Sequence, residues 1–207
     1  MCEDNVENKE NSRREKNKYL KIKKLLSSAF QLFIENGFDN TSIDEITKNS
    51  KVAKGTFYLY FKDKIDIRNK LIIEKSSEVV EMAYKHIQAQ NYENREDKII
   101  AFCDYIINYL SNDKALLSLI HKNISTSLYK EVLEKNDSDN IIVKVLNELQ
   151  KEFEETFTSE EFLINLFIIL EMLGAVLYSS IIHEEPVEIE IIKPYLYRNI
   201  RKIIRKE

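Results

Sequence analysis

Apolar residues recur three or four positions apart along most of this chain, and that spacing predicts a succession of amphipathic α-helices. Tyr19, Ile22, Leu26, Ala29 and Phe33 define a first helix, which Asn36-Gly37 should stop as a C-cap. Ile43 and Ile46 mark a short second helix. The pattern breaks at Asn49-Ser50-Lys51, resumes at Val52, and a third helix opens near Lys54-Gly55. There Phe57 and Phe61 lie four apart and can be buried together, which turns Thr56, Tyr58 and Tyr60 to other faces. A long helix over 63–87 places Ile65, Ile72, Val79 and Ala83 on one stripe, and polar residues 88–95 end it. Asn94 with Asp97 can cap a helix carrying Ile99, Phe102, Cys103, Ile106 and Leu110, and residues 112–122 supply a shorter one. After a break at 136–140, Ile142, Val145, Leu149 and Phe153 define another amphipathic helix.

The most apolar stretch, 162–182, reads FLINLFIILEMLGAVLYSSII and is entered by a capping box of Thr158 and Glu161. Its length would just span a bilayer, but Glu171 at the centre and Asn165 nearby make insertion costly. Burial within the protein and against a second subunit is the better account of a helix apolar on all sides. A last helix, 191–205, carries Tyr195, Leu196, Ile200, Ile203 and Ile204, with Pro194 expected in its first turn. With 3 glycines and 2 prolines among 207 residues, turns are few and helices long. The fold class expected is all-α.

Around the break at 49–51 the spacing is that of a helix-turn-helix, with Thr41 and Asp44 as the capping box that starts its first helix. Charge supports a nucleic-acid role. Residues 1–70 hold 15 Lys or Arg against 11 Asp or Glu, whereas 71–207 hold 16 against 24, so the overall charge of −4 hides a positive N-terminal part. Within it residues 9–24 contain eight basic and two acidic residues, a run that fits either a solvated helix face or an arm along phosphates.

The string Lys54-Gly55-Thr56-Phe57-Tyr58-Leu59-Tyr60-Phe61, with Ile46 before it, Val52 in the turn and Lys64 after it, closely resembles the recognition-helix signature of the TetR family of bacterial transcription regulators. The resemblance covers about residues 20–65. It departs at Lys51, where a glycine is common in the turn, and at Ser50, where alanine is usual; a left-handed non-glycine residue costs on the order of 1 kcal/mol. The resemblance implies a polar tail over 1–17, a DNA-binding domain over 18–64 with the helix-turn-helix at about 42–61, and a helical effector-binding and dimerisation domain over 65–207. It also implies that a homodimer reads a near-palindromic duplex through Thr41, Ser42, Lys51, Lys54, Gly55, Thr56, Tyr58, Tyr60 and Lys64.

The same resemblance places the dimer interface on the last two helices, and Leu163, Leu166, Leu170, Leu173 and Leu177 offer a stripe for it. An unknown small apolar or amphipathic effector would be held in the larger domain. A helix-lining reading selects Phe102, Cys103, Ile106, Tyr109, Leu119, Tyr129, Asn165, Phe167, Ile169, Glu171, Met172 and Tyr178, with Glu171 suited to a cation. The alternative is a DNA-binding protein without an effector, acting in chromosome organisation or through a protein partner.

Cys2 in a polar segment and Cys103 in an apolar one do not make a disulfide framework, which points to a reducing cytoplasm, and the resemblance implies a bacterial one. The N-terminal segment has no apolar run of a secretory signal and reads as disordered. His86, His121 and His183 stand far apart without second ligands, so no metal or other cofactor is expected, and no catalytic motif occurs.

Overall fold

The computed structural model describes the backbone of residues 3–128 and 140–205, with side chains from residue 13 onward. These residues are helical apart from short connections, and they divide into two compact units, Met1–Leu71 and Ile72–Glu207. Among the described residues no strand occurs.

The first unit is built from α1 (Glu3–Asn36), α2 (Ile43–Ser50), α3 (Lys54–Tyr60) and the opening turns of α4 (Lys64–Gln88). Its core consists of Leu25, Leu26, Ala29, Phe33, Ile46, Phe57, Phe61, Ile67 and Leu71, all buried. Gly37, at φ 81°, ends α1 in the left-handed region, where glycine carries no Cβ penalty. Ser28, buried on α1, donates its hydroxyl to the Ile46 carbonyl at 2.9 Å and so ties α1 to α2.

Three expectations change here. The tail expected as disordered over 1–17 is helical from Glu3, because α1 is nucleated by its packed C-terminal half and extended outward by Glu, Lys and Arg, all good helix formers. Tyr19 and Ile65, assigned to apolar stripes, are 58% and 51% exposed. The capping box of α2 is not Thr41 with Asp44 but Ser42 with Glu45, one residue on: the Ser42 hydroxyl accepts from the Glu45 N–H, and the Glu45 carboxylate accepts from the Ser42 N–H at 2.7 Å.

The second unit holds the rest of α4 with α5 (Arg95–Asn112), α6 (Lys114–Ile120), α7 (Ile124–Leu128), α8 (Ile141–Glu152), α9 (Ser159–Tyr178) and α10 (Ile189–Ile204). The caps expected at Asn94 and Thr158 form: Asn94 accepts from the Asp97 N–H at 2.8 Å, and Thr158 makes a full capping box with Glu161. The segment 112–122 is shorter than expected, because Asp113 caps α6 through the Leu116 N–H at 2.9 Å and the chain turns again after Ile120. Pro194 lies beyond the first turn of α10, which starts at Ile189, two residues earlier than the apolar pattern suggested.

Arg95 fastens α8 to α5, donating to the Glu152 carbonyl at 3.0 Å and the Thr156 hydroxyl at 2.7 Å while lying over the Phe153 ring. Arg201 on α10 pairs with Asp97 on α5 at 2.6 Å. α9 runs on into a wider π-type turn, Ser179–His183, and this 25-residue stretch is long and apolar enough to cross a membrane by length and composition. Glu171 at its middle accepts a hydrogen bond from Ser125 on α7.

Candidate nucleic-acid interface and ligand cavities

The turn between α2 and α3 is a Schellman motif. Lys51, at φ 56° and ψ 35°, donates its N–H to the Lys48 carbonyl at 3.3 Å, and Val52 donates to the Thr47 carbonyl at 3.1 Å. Lys51 thus occupies the left-handed position where the resemblance anticipated glycine, and its side chain is exposed. Phe57 is fully buried and Phe61 nearly so, with ring centroids 5.4 Å apart. Burying that pair sends Lys54, Gly55, Tyr58 and Leu59 outward, while Thr56 and Tyr60 are half-buried.

Gly55 faces open space: a Cβ built there meets nothing within 4 Å. No packing inside the protein therefore asks for glycine at this position. Lys54 forms an exposed ion pair with Asp44 at 2.6 Å, and this hydrogen bond raises its pKa. Ser42 is exposed, with its hydroxyl engaged in the α2 cap. Leu59, 76% exposed, was missing from the expected contacts, although its position midway between Phe57 and Phe61 is the signal that could have found it. An exposed leucine there suits the methyl group of thymine.

Two expected contacts are spent inside the protein. Thr41 is 1% exposed, and its hydroxyl lies 2.8 Å from the Gly37 carbonyl and 3.1 Å from that of Leu32. Lys64 donates from Nζ to the carbonyls of Phe38 at 2.7 Å, Asp39 at 3.2 Å and Thr41 at 2.8 Å, and sits 4.4 Å from the centre of the Phe38 ring. Its ammonium closes the connection between α1 and α2. Neither side chain is presented to a phosphate in this geometry, because carbonyls at the end of α1 and in the connection after it are the nearer acceptors.

In the second unit two apolar cavities lie side by side, each of about 110 Å³. One is lined by Phe102, Cys103, Ile106, Asn165, Leu166 and Ile169, among others; the other by Ser76, Val80, Leu117, His121, Gly174 and Leu177, among others. Ile106, Leu170 and Leu173 line both and divide them. Of the expected pocket residues, Phe102, Cys103, Ile106, Asn165 and Ile169 are brought together. Burial pushes the Cys103 thiol up to about 12, so it is an inert part of the wall.

The others go elsewhere. Leu119 is packed in the core, Met172 is half-buried away from both cavities, and Phe167 is 55% exposed. Tyr109 lines a separate open depression with Asp104 and Asn108, Glu171 is occupied by Ser125, and Tyr129 lies outside the described residues. Tyr178 stacks on His121, ring centroids 3.6 Å apart.

The leucine stripe assigned to a dimer interface also points inward for most of its length. Leu173 and Leu177 are buried in their own unit, and Leu166 and Leu170 line the cavities. The face of α9 left open carries Leu163, Ile164, Phe167 and Ile168, and α10 exposes Ile191 and Tyr195.

Fold and turn geometry together define a helix-turn-helix protein with a separate helical unit. Residues 25–71 match the family described as bacterial regulatory proteins, tetR family. The match is confined to this N-terminal segment. It is 36% identical over 73 residues to the fatty acid metabolism regulator protein of Bacillus subtilis (strain 168), a match over 35% of this chain and 38% of that protein, so the chain spans well under two thirds of that relative. In overall fold it is similar to the transcriptional regulator FadR of Bacillus subtilis in complex with stearoyl-CoA, with a TM-score of 0.57 and 20% identity over 86% of this chain and 96% of the other. A TetR family transcription regulator from Marinobacter aquaeolei VT8 superposes with a TM-score of 0.61 at 14% identity, over 94% of this chain and 100% of the other. At such identities the two structures speak for the fold.

Proposed function

We propose that this protein is a sequence-specific, DNA-binding transcription regulator, a repressor that a long-chain amphipathic ligand releases from its operator. The observation that carries this reading is the outward set on α3, Lys54, Gly55, Tyr58 and Leu59, raised over the buried Phe57–Phe61 pair in a positively charged unit. Lysines suit phosphates, and the tyrosine, threonine and leucine suit base edges in a major groove. Lys51, exposed at the turn, adds a phosphate contact.

A homodimer on a near-palindrome is part of the proposal. The exposed patch of Ile164, Phe167 and Ile168 on α9 with Ile191 and Tyr195 on α10 supplies its interface, and two recognition helices about 34 Å apart would read successive major grooves. A long-chain fatty compound is the effector class, supported by two adjoining apolar cavities and by the similarity to a fatty acid metabolism regulator and to FadR in complex with stearoyl-CoA. α4 runs from Lys64 to Gln88 and contributes Ser76, Val79 and Val80 to one cavity, so a ligand there acts on the helix that also ends the DNA-binding unit. The protein would work in the bacterial cytoplasm.

The test is fluorescence anisotropy of labelled duplex from the promoter of its own gene, over a salt series, with and without stearoyl-CoA or oleate. Tight binding that weakens steeply with salt, and a further 5- to 150-fold weakening (about 1–3 kcal/mol) by ligand, are expected. Operator must weaken ligand binding by the same factor. No salt-dependent retention overturns the DNA assignment; retention indifferent to every acyl ligand favours the effector-independent alternative.

A further inference from the structure

The cavity between α4, α6 and α9 holds a feature that hydrocarbon alone does not account for. Two polar atoms are buried in its wall without hydrogen-bond partners among the described residues: the hydroxyl oxygen of Ser76 and Nε2 of His121. Buried polar atoms nearly always have partners, so two orphans in the wall of one cavity mark a place where a partner is supplied from outside. Ser76 is 8% exposed and sits on α4; His121 follows α6.

The chemistry of that partner can be read from the imidazole. His121 Nδ1 lies 2.9 Å from the Ser118 carbonyl, and a carbonyl only accepts, so Nδ1 carries the proton. Burial lowers the pKa of this histidine and favours the neutral ring. Nε2 of that tautomer is a lone pair. The Ser76 hydroxyl can donate or accept. The ring is also held in place: it stacks on Tyr178, and α9 comes so near at Gly174 that a Cβ there would lie 2.8 Å from the His121 carbonyl oxygen.

We infer that Ser76 and His121 bind the polar head of the ligand, and that this head carries an O–H donor on an aliphatic chain, an alcohol or an un-ionised acid rather than an ester or thioester. The O–H donates to His121 Nε2 and its oxygen accepts from Ser76. An ester or thioester carbonyl could take the serine hydrogen but would leave the imidazole lone pair unmet, and that mismatch is what confers selectivity. The chain of such a ligand would run past Ile106, Leu170 and Leu173 into the neighbouring cavity toward Phe157 and Phe162. The inference rests on the effector reading above, yet it is tested without DNA.

The full-length protein would be titrated calorimetrically with 1-octanol, octanoic acid, methyl octyl ether and methyl octanoate. The better of the two O–H compounds should bind about tenfold more tightly than the ether and the ester, the value of roughly one hydrogen bond; which of the two wins names the source of the hydroxyl. His121→Phe should bring all four toward parity, and Ser76→Ala should weaken the O–H compounds several-fold. Should either variant fail to fold, the nitrogen-15 shift of His121 Nε2 in the wild-type protein serves instead: it moves with the favoured compound and not with the ether. Equal binding of all four to the wild type, no binding of any, or full selectivity in His121→Phe overturns the inference.

Discussion

Lys64 holds the connection between α1 and α2 by three hydrogen bonds to carbonyls, and removing its ammonium breaks all three together. Lys64→Ala should therefore cost about 1–3 kcal/mol of stability in chemical denaturation, while leaving the salt slope of DNA binding unchanged. Lys54→Ala should do the reverse, keeping stability and lowering that slope by roughly one unit, because one phosphate contact is lost. Gly55 separates folding from binding in another way. With open space where its Cβ would be, Gly55→Ala should leave the melting temperature the same or slightly higher, since alanine is the better helix former by about 1 kcal/mol, and yet weaken operator binding where the DNA backbone approaches. His121 gives a pH signature. Its folded pKa lies below the ordinary 6.5, so the unfolded chain takes up the proton first, and stability present above that pH is lost as pH falls through it. Denaturation midpoints measured from pH 7 downward should fall in the wild type before the carboxylates begin to titrate, and fall less in His121→Gln.

α9 is the element whose faces carry opposite consequences. Phe167→Arg, on the exposed side, should leave a folded protein that light scattering finds monomeric; Leu177→Arg, at 2% exposure, should unfold the second unit by burying an unpaired charge. A wild-type protein that is monomeric at micromolar concentration would remove the dimer from the proposal. The stripe Leu163 to Leu177 could not have been resolved from the sequence, because a helix apolar all round has no period to choose a face. Where polar residues alternate with apolar ones the sequence was far more legible: α4, α5 and α8 fall within a few residues of their expected bounds, and Asn94 and Thr158 cap as read. The capping box of α2 was misread by one residue since Thr41 and Ser42 both satisfy the pattern, and only packing decides which hydroxyl turns inward. The outward face of α3 was legible through the Phe57–Phe61 pair. The polar anchors Ser76 and His121 were not, because their significance lies in two atoms, Ser76 Oγ and His121 Nε2, that meet no partner among the described residues, and that is a property of three dimensions.

At the scale of the whole molecule, the boundary between the two compact units falls at Leu71–Ile72, in the interior of α4 and not in a loop. A boundary of that kind has a consequence for how such proteins can be recombined. Flexible linkers forgive insertions and deletions; a helix does not, since each added residue turns everything beyond it by about 100° and advances it by about 1.5 Å. If the proposed function holds, chimeras that join this N-terminal unit to the second unit of a relative should therefore respond to ligand only when the splice preserves helical phase. One extra alanine after Leu71 should leave both parts folded and uncouple the response, and restoring phase with further alanines to complete two turns, seven in all, should recover it in a promoter-reporter assay.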